Sequence, residues 1–322
     1  MSVTPPVAAA HSRIRDYIGL ARPDHWFKNV FMLPGVVLVW TAAGRPPIGS
    51  LLPALVLATV SACLVASSNY TLNEWLDAEE DRQHPEKRFR PAASGRIRGS
   101  LAYLQWLVLG AAGLAIGRAV SLEFFWSVVA LFAMGIVYNV RPLRSKDRAY
   151  IDALSESINN PLRLLMGWYV LDSGLVPPAS LLLAYWMLGA FFMAMKRFGE
   201  LRHINDTAVA GAYRKSFRHY TPERLLISVV FYATAFGLFG GIFIIRYRVE
   251  LVLAVPFVAG LMAMYMHLGL LPDSPAQHPE ALFRHTPFVV YGCVTALVLI
   301  VCSLIRLPWM DHLFQTTIPS GF

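Results

Sequence analysis

The sequence predicts an all-α integral membrane protein with nine transmembrane helices packed in one bundle. Three observations support this fold class. Of the 322 residues, 56% are hydrophobic and only 15% are charged, and the mean hydropathy is positive, which is the composition of a membrane protein. Long apolar runs recur along the whole chain, and the cationic residues cluster in alternate loops between them.

The nine predicted spans are apolar runs of about 17 to 23 residues, long enough to cross about 30 Å of hydrocarbon. They cover 28–44, 51–72, 101–118, 122–140, 150–171, 176–195, 224–245, 249–271 and 286–306. The first and the fifth are the most polar, since Lys28 and Pro34 lie in one and several polar residues lie in the other. With eight spans the C-terminus would lie on the opposite side of the membrane.

The cationic residues predict the orientation. Of the 28 Lys and Arg residues, 22 flank the first span or lie in the loops after spans two, four, six and eight. Because cationic loops stay in the cytoplasm, the N-terminal segment 1–26 and the cap loops 73–100, 141–149 and 197–223 are predicted to be cytoplasmic. The alternation also favours nine spans over eight. We predict the cytoplasmic (inner) membrane of a bacterium as the location.

Several other classes are disfavoured by the composition. The net charge of +8 is spread over loops that flank spans, so a nucleic-acid partner is not expected. Segment 1–26 has no apolar core followed by a cleavage site, so no signal peptide is expected. The three cysteines lie in apolar spans without metal-ligand spacing and are predicted to be structural. No linker divides the chain, so one domain over 1–322 is predicted.

A run of acidic residues follows the second span. Asn73, Asp77 and Asp81 are spaced i, i+4 and i+8, and Glu74 is adjacent, so all four lie within about a 100° sector of one helix. An amide and three carboxylates on one face can hold Mg²⁺ that bridges to a diphosphate. The alternative is a solvated helix end whose acidic residues only improve solubility.

A second polar face lies in the fifth span. Asp152, Glu156, Asn159 and Arg163 fall within about 60° on one helix, and carboxylates inside a span usually mark a functional interior. The alternative is a structural ion pair between helices. Because span two ends and span five begins on the cytoplasmic side, the two acidic faces are predicted to form one site around a pair of Mg²⁺ ions.

These motifs resemble those of the UbiA superfamily of intramembrane prenyltransferases. Asn73-Glu74-x-x-Asp77-x-x-x-Asp81 is similar to the first motif of that family, N-D-x-x-D-x-x-x-D, with glutamate in place of its first aspartate. Asp152-x-x-x-Glu156 is similar to the second, D-x-x-x-D. The resemblance covers roughly residues 20 to 305 and implies nine helices around a central cavity open to the cytoplasm.

Three further stretches resemble the decaprenyl-phosphate phosphoribosyltransferase branch of the superfamily. They are 22–29 (RPDHWFKN), 81–91 (DRQHPEKRFRP), and 196–201 (KRFGEL) with its continuation to Pro222. The acidic second motif, by contrast, is closer to what prenyl diphosphate users need.

The resemblance implies a set of site residues. The metal ligands for Mg²⁺, the implied cofactor, are Asn73, Glu74, Asp77, Asp81, Asp152 and Glu156, of which Asp77, Asp81, Asp152 and Glu156 are the catalytic residues. The residues implied to bind substrate phosphate are Lys28, Arg88, Tyr138, Arg141, Lys146, Lys196, Arg197 and Lys215. The implied partners are a polyprenyl lipid from the bilayer and a diphosphate-containing donor, and the sequence does not indicate an oligomeric state.

The predicted function is a Mg²⁺-dependent transferase that moves 5-phosphoribosyl from phosphoribosyl diphosphate to a polyprenyl phosphate. One alternative is a prenyltransferase that moves a prenyl group from its diphosphate to an aromatic or other small acceptor. A terpene cyclase would use the same acidic faces without a second substrate. A transporter is the non-enzymatic alternative, although its site would be expected near the membrane midplane.

Overall fold

The computed structural model describes residues 13–84, 86–271, 274–275, 282 and 284–314. These residues form helices, turns and loops, and within these ranges the chain contains no β-strand. Seven helical segments in the described part of the chain are long and apolar enough to cross a membrane. The prediction of an all-α integral membrane protein is therefore confirmed.

Fourteen α-helices lie within the described ranges. In order they are α1 (Ile14–Ala21), α2 (Leu33–Ala42), α3 (Ile48–Leu76), α4 (Ala78–Asp81), α5 (Gly99–Val120), α6 (Leu122–Asn139), α7 (Ile151–Ser157), α8 (Asn159–Trp168), α9 (Ala179–Ile204), α10 (Thr207–Tyr213), α11 (Pro222–Tyr247), α12 (Val255–Leu270), α13 (Thr286–Leu304) and α14 (Pro308–Phe314). Short 3₁₀ helices cover Pro23–Met32, Lys87–Phe89, Ser145–Asp147, Lys215–His219 and Val249–Ala254.

The first and fifth predicted spans are each divided into two shorter pieces. The first consists of the 3₁₀ helix Pro23–Met32 followed by the ten residues of α2, and Pro34 lies in the first turn of α2. The fifth consists of α7 and α8, which meet at Ile158. Pro161 lies in the first turn of α8, where its missing N–H leaves no hydrogen bond unmade. Seven of the nine predicted spans thus correspond to the seven long apolar segments.

Close contacts between helices depend on small residues. Helix α3 packs along α5, where a Cβ on Gly113 would lie 3.0 Å from the backbone oxygen of Ser61. The Ser61 hydroxyl donates a 2.7 Å hydrogen bond to the Gly113 carbonyl. Between the first segment and α8, a Cβ on Gly167 would lie 1.9 Å from the backbone oxygen of Met32. Small residues at such positions let helix backbones approach closely within a membrane.

Four apolar clusters lie within the described residues, and the two largest fill most of the bundle. One joins α9 and α11 through buried Phe191, Met195 and Val229, among others. The other joins α2, α3, α6 and α8 through buried Val65, Leu131 and other side chains. The polar ends of α3, α6 and α9 and the start of α7 meet at one end of the bundle, where α4, α10 and the connecting loops cover them.

Candidate active site

A cavity lies at this covered end of the bundle, and most of the side chains around it are charged. Ten Lys or Arg and six Asp or Glu line it, so the cationic groups exceed the acidic groups by four. The lining residues are Arg22, His25, Lys28, Tyr70, Asn73, Asp77, Glu80, Asp81, Lys87, Arg90, Tyr138, Arg144, Lys146, Asp147, Glu156, Lys196, Arg197, Glu200, Tyr213, Arg214 and Lys215.

The first acidic motif supplies one wall of this cavity. Helix α3 ends at Leu76, and α4 begins at Ala78. The helical pattern nevertheless continues across the break, because the Asp77 N–H donates to the Asn73 carbonyl at 3.0 Å and the Asp81 N–H donates to the Asp77 carbonyl at 2.8 Å. Asn73, Asp77 and Asp81 therefore all line the cavity, as their spacing predicts.

Asp77 is held by two cationic side chains. Lys146 Nζ donates a short hydrogen bond to Asp77 Oδ1, and Arg144 Nη2 donates to the same oxygen at 3.0 Å. Burial alone would raise the pKa of Asp77, but the two positive charges outweigh burial and hold the pKa below its usual value. Asp77 is thus ionised at neutral pH.

Lys146 lies between Asp77, which follows α3, and Asn139, the last residue of α6. In addition to Asp77, its ammonium donates to Asn139 Oδ1 at 2.7 Å, and the residue is 5% exposed. Burial lowers the pKa of Lys146 to about 8, although Asp77 opposes the change. A buried amine with this pKa can gain or lose its proton near physiological pH.

Asp81 lies one helical turn beyond Asp77. Arg90 Nη1 donates to Asp81 Oδ2 at 2.7 Å, and the carboxyl is almost fully buried. Burial raises the pKa of Asp81, and Arg90 offsets only part of that effect. The arginine comes from the basic stretch after α4, so the turn there folds the chain back onto the acidic motif.

His84 organises the loop that follows. Its Nδ1 accepts hydrogen bonds from the backbone N–H groups of Glu86 and Lys87 at 3.1 and 3.2 Å. Burial and the nearby Lys87 charge lower the pKa of His84 to about 4, so the imidazole is neutral at pH 7. Lys87 is thereby directed toward α9 and α10, where it donates to Glu200 Oε1 at 2.6 Å and to the Tyr213 hydroxyl.

The two carboxylates of the second motif have different surroundings. Asp152 is fully buried and does not line the cavity; it accepts hydrogen bonds from Tyr220 Oη at 2.6 Å and Arg197 Nε at 3.1 Å. Glu156 lines the cavity and accepts from Tyr138 Oη at 2.9 Å and from Arg197. Both acids are therefore engaged in an interhelical network with one arginine of α9.

Tyr138 links this network to Arg214, the residue that follows α10. Arg214 Nη2 donates to the Tyr138 hydroxyl at 2.6 Å, and Arg197 Nη2 approaches it at 3.3 Å. Three lysines complete the cationic wall. Lys28 lies 5.7 Å from the centre of the Tyr70 ring, Lys196 Nζ lies 3.9 Å from Glu156 Oε1, and Lys215 Nζ lies 3.5 Å from Asp147 Oδ2.

Four residues predicted for the site do not line the cavity. One is Asp152, and the other three are Glu74, Arg88 and Arg141. Glu74 is 3% exposed and accepts a 3.4 Å hydrogen bond from the backbone N–H of Ala92, behind the motif. The guanidinium of Arg88 stacks over the Phe89 ring, and Arg141 is exposed beyond the end of α6. The structure brings the other predicted residues to one cavity.

Sequence reasoning missed Glu200 and Arg214 as site residues. Glu200 follows Lys196 by four residues on α9, so helical spacing places both on one face. Arg214 lies between α10 and the next 3₁₀ helix, where no periodic pattern exists, and its contact with Tyr138 spans 76 residues of sequence. The first could have been found from spacing and the second could not.

The cavity wall suits Mg²⁺ in its chemistry. Within the described ranges no group of three His, Cys, Asp or Glu side chains is close enough to hold a metal ion by itself. Mg²⁺, however, commonly binds one or two carboxylates and completes its shell with water and substrate phosphate oxygens. Asp77, Glu80 and Asp81 present carboxylate oxygens on one wall, so the donor set fits a metal that arrives with a phosphorylated ligand.

The chain matches the profile of the UbiA prenyltransferase family over residues 30–307. The decaprenyl-phosphate phosphoribosyltransferase of Mycobacterium tuberculosis is 31% identical over 215 residues, which cover 66% of this chain and 68% of that protein. The protein of the same name from Mycolicibacterium smegmatis is 28% identical over 232 residues, covering 72% of this chain and 70% of its own.

A solved structure shares the fold. The structure of a UbiA homolog from Archaeoglobus fulgidus, bound to DMAPP and Mg²⁺, is similar with a TM-score of 0.67 and covers 92% of this chain and 99% of that one. The sequence identity is 20%, so this likeness concerns the arrangement of helices.

Proposed function

The chain belongs to the UbiA prenyltransferase family, and on that premise we propose that it transfers a 5-phosphoribosyl group from phosphoribosyl diphosphate to a polyprenyl phosphate. Relatives that carry the name decaprenyl-phosphate phosphoribosyltransferase support this reaction. The proposal places both reacting groups in the charged cavity at the end of the bundle.

The charge of the cavity wall is the observation that carries the proposal. Its ten Lys or Arg exceed its six Asp or Glu by four. Phosphoribosyl diphosphate brings a diphosphate and a 5-phosphate, and the lipid brings a further phosphate. Three anionic groups in one cavity need this excess of positive charge, whereas a single prenyl diphosphate needs less.

We assign the donor diphosphate to the wall formed by the first acidic motif. Lys146 and Arg144 lie beside Asp77, and Arg90 lies beside Asp81, so cations and carboxylates alternate there. Mg²⁺ held by Asp77, Glu80 or Asp81 would neutralise diphosphate charge and make it a better leaving group. The cations would bind the outer phosphate oxygens and keep the donor oriented.

The proposed reaction exchanges one C–O bond for another. The bond between the anomeric carbon of ribose and the diphosphate breaks, and the diphosphate leaves with the electron pair. A phosphate oxygen of the lipid forms the new bond to the same carbon. Lys28, Lys196 and Arg197 line the cavity, and we propose that they stabilise the negative charge on the departing and attacking groups.

We propose a positioning role for Asp152. Its carboxylate binds Arg197 Nε at 3.1 Å from outside the cavity lining, while Arg197 Nη2 reaches Glu156 and Tyr138. Anchoring one edge of the guanidinium leaves the rest directed at the cavity. Asp152 does not line the cavity, so of the two carboxylates predicted for a second metal site only Glu156 faces the donor.

Prenyl transfer is the second candidate. Glu156, an acidic residue of the second motif, does line the cavity, as an acidic site for a prenyl diphosphate would require. The surplus of positive charge in the cavity wall exceeds what one prenyl diphosphate needs, so we favour phosphoribosyl transfer.

We further propose a membrane topology for the chain. The two divided segments, Pro23–Met32 with α2 and α7 with α8, act as the first and fifth of nine membrane segments in a single domain. The concentration of cations in alternate loops supports a cytoplasmic N-terminus and a cavity open to the cytoplasm of a bacterium.

A transfer assay with two donors tests the function. Purified protein in lipid nanodiscs receives Mg²⁺ and either ribose-labelled phosphoribosyl diphosphate with polyprenyl phosphate, or labelled prenyl diphosphate with aromatic acids. The proposal predicts label in the lipid fraction from the first pair only, and loss of transfer when EDTA removes Mg²⁺. Label transferred only from the prenyl diphosphate would reject phosphoribosyl transfer in favour of the second candidate.

A further inference from the structure

The short helix α1, which precedes the first membrane segment, has one buried face and one uncovered apolar face. Leu20 is fully buried and packs with Ala92 and Ile97 of the loop before α5. Ile14 and Ile18 are 81% and 56% exposed. At about 100° per residue they lie about 120° and 160° around the helix axis from Leu20. The two isoleucines therefore form the face opposite to the one that docks on the protein.

Polar contacts fix the docked face of α1 against the start of α5. Arg96 Nε donates to Asp16 Oδ1 at 2.9 Å. Gln105 Nε2 donates to the Tyr17 carbonyl at 3.0 Å, and the Arg98 N–H donates to the Tyr17 hydroxyl at 3.2 Å. Because these bonds hold the helix from one side, its apolar face stays directed away from the bundle.

The neighbours of α1 place it at the edge of the apolar part of the bundle. The residue that ends α1, Arg22, lines the charged cavity. A few residues later, Trp26 and Val30 are exposed, and on α5 Leu104 is exposed beside the Gln105 that binds α1. Exposed tryptophan next to exposed aliphatic side chains is typical of the boundary between hydrocarbon and water. Helix α1 thus lies at the level of a membrane surface.

Arginines flank the apolar face of α1. Arg13 and Arg15 are both exposed, and Arg15 lies about 60° from Ile18 around the helix axis. An arginine at this angle can extend to lipid headgroups while the isoleucine points into the bilayer. The acidic residue of α1, Asp16, is bound by Arg96 on the docked side. The exposed side of the helix therefore combines apolar side chains with positive charge, which is the pattern of a helix that lies on anionic lipid.

We propose that α1 anchors the charged end of the bundle to an anionic membrane surface. Ile14 and Ile18 insert among the acyl chains, where their apolar surface leaves water. Arg13 and Arg15 bind the phosphates of anionic lipids, which attract cationic groups close to the surface. Because α1 ends at Arg22, this contact fixes the adjacent cavity wall relative to the bilayer. The anchoring role is independent of which donor the enzyme uses.

Spin labels on the whole chain in lipid nanodiscs show what covers the apolar face. The exposed Cys293 is first replaced by serine, because the other two cysteines are buried. Labels are then attached to Ile18→Cys, to Glu79→Cys on the polar helix α4 and to Val108→Cys on the apolar helix α5, since all three positions are exposed. Thermal unfolding shows that each variant is folded. We expect the label at position 18 to collide more with molecular oxygen than with a water-soluble nickel complex, as at position 108, and the reverse at position 79.

Hydrogen exchange of the α1 amides tests the recognition of anionic lipid. Wild type, Arg15→Gln and the control Arg118→Gln are compared in nanodiscs of phosphatidylcholine alone and of phosphatidylcholine mixed with phosphatidylglycerol. Arg118 is exposed near the far end of α5. In wild type, anionic lipid should slow exchange about fivefold or more, which is the effect of one arginine at an anionic surface. Arg15→Gln should lose most of this lipid dependence, and Arg118→Gln should keep it.

Three results would overturn the anchoring role. A label at position 18 that behaves like the label at position 79 would show a solvated helix. Low access of both reagents to position 18 would show that protein, such as a second copy of the chain, covers the face. Equal exchange of the α1 amides in both kinds of nanodisc would reject binding to anionic lipid. None of these results bears on the transfer reaction, which the assay with two donors tests separately.

Discussion

The lowered pKa of Lys146 predicts that kcat/KM depends on pH. Burial lowers its pKa from the ordinary 10.5 to about 8, a difference equivalent to about 3 kcal/mol at 1.36 kcal/mol per pKa unit. Since the lysine pKa is lower in the folded than in the unfolded state, the folded protein loses this proton first as pH rises. The ammonium is present below pH 8 and is mostly lost at pH 9.

This titration should control productive binding of the phosphorylated donor. At pH 9 only about one tenth of the protein carries the Lys146 charge, compared with about half at pH 8, so kcat/KM should fall about fivefold between pH 8 and pH 9. Bound phosphate favours the charged lysine, and the decline in kcat should therefore occur at higher pH than the decline in kcat/KM.

Initial rates between pH 6.5 and 9.5 check this prediction. Lys146→Arg is the informative variant, because arginine remains charged throughout this range. Its kcat/KM should lack the decline above pH 8. Arg148→Lys serves as a control, since Arg148 is exposed and does not line the cavity. A wild-type profile that is flat to pH 9, or an unchanged decline in Lys146→Arg, would refute the assignment.

Three further changes should have distinct effects. Asp81→Asn removes a cavity carboxylate but keeps its shape, so kcat should fall at least about 100-fold without a large change in unfolding temperature; near-normal turnover would contradict its role. In Asp152→Asn, the factor by which the KM of the donor rises should be about ten times the factor by which kcat falls, because Arg197 loses its anchoring charge. A lower unfolding temperature with unchanged KM would indicate a purely structural residue. Gly167→Ala should destabilise the fold by about 2 kcal/mol or more, because the added methyl would overlap a backbone oxygen at 1.9 Å; Gly237→Ala, which has no atom within 4 Å of the new methyl, should unfold like the wild type.

The membrane segments were predictable because their length and apolar composition are local properties. The seven long apolar segments overlap seven of the predicted spans. Breaks in the other two followed from Pro34 and Pro161, which are readable in the sequence. Where the chain divides, at Ile158 rather than at the proline itself, depends on how α7 and α8 pack.

The candidate site was predictable only in part. Asn73, Asp77 and Asp81 share the cavity because their four-residue spacing survives the break after α3. Glu74 lies on the edge of the same helical sector, and packing of the following loop turns it toward Ala92. Helical spacing gives directions around one axis, and it cannot tell which side of the sector faces the cavity.

Partnerships between distant residues could not be predicted. The acidic residues of the fifth segment were expected to hold a metal or to pair with an arginine, and the arginine that binds them, Arg197, lies 45 and 41 residues away from Asp152 and Glu156. Arg163, which follows them on the same predicted face, binds Asn29 instead. Such choices depend on how helices α7, α8 and α9 cross, which is a tertiary property.

The central claim is that the charged cavity binds a diphosphate donor together with Mg²⁺. An electron cryomicroscopy structure in nanodiscs, with phosphoribosyl diphosphate and Mg²⁺ added, tests it most directly. We expect density for the diphosphate between Asp77, Asp81 and Lys146, and its loss in Asp77→Asn. Ordered donor density outside this cavity, or a cavity that stays free of donor at saturating concentration, would show that the donor binds elsewhere.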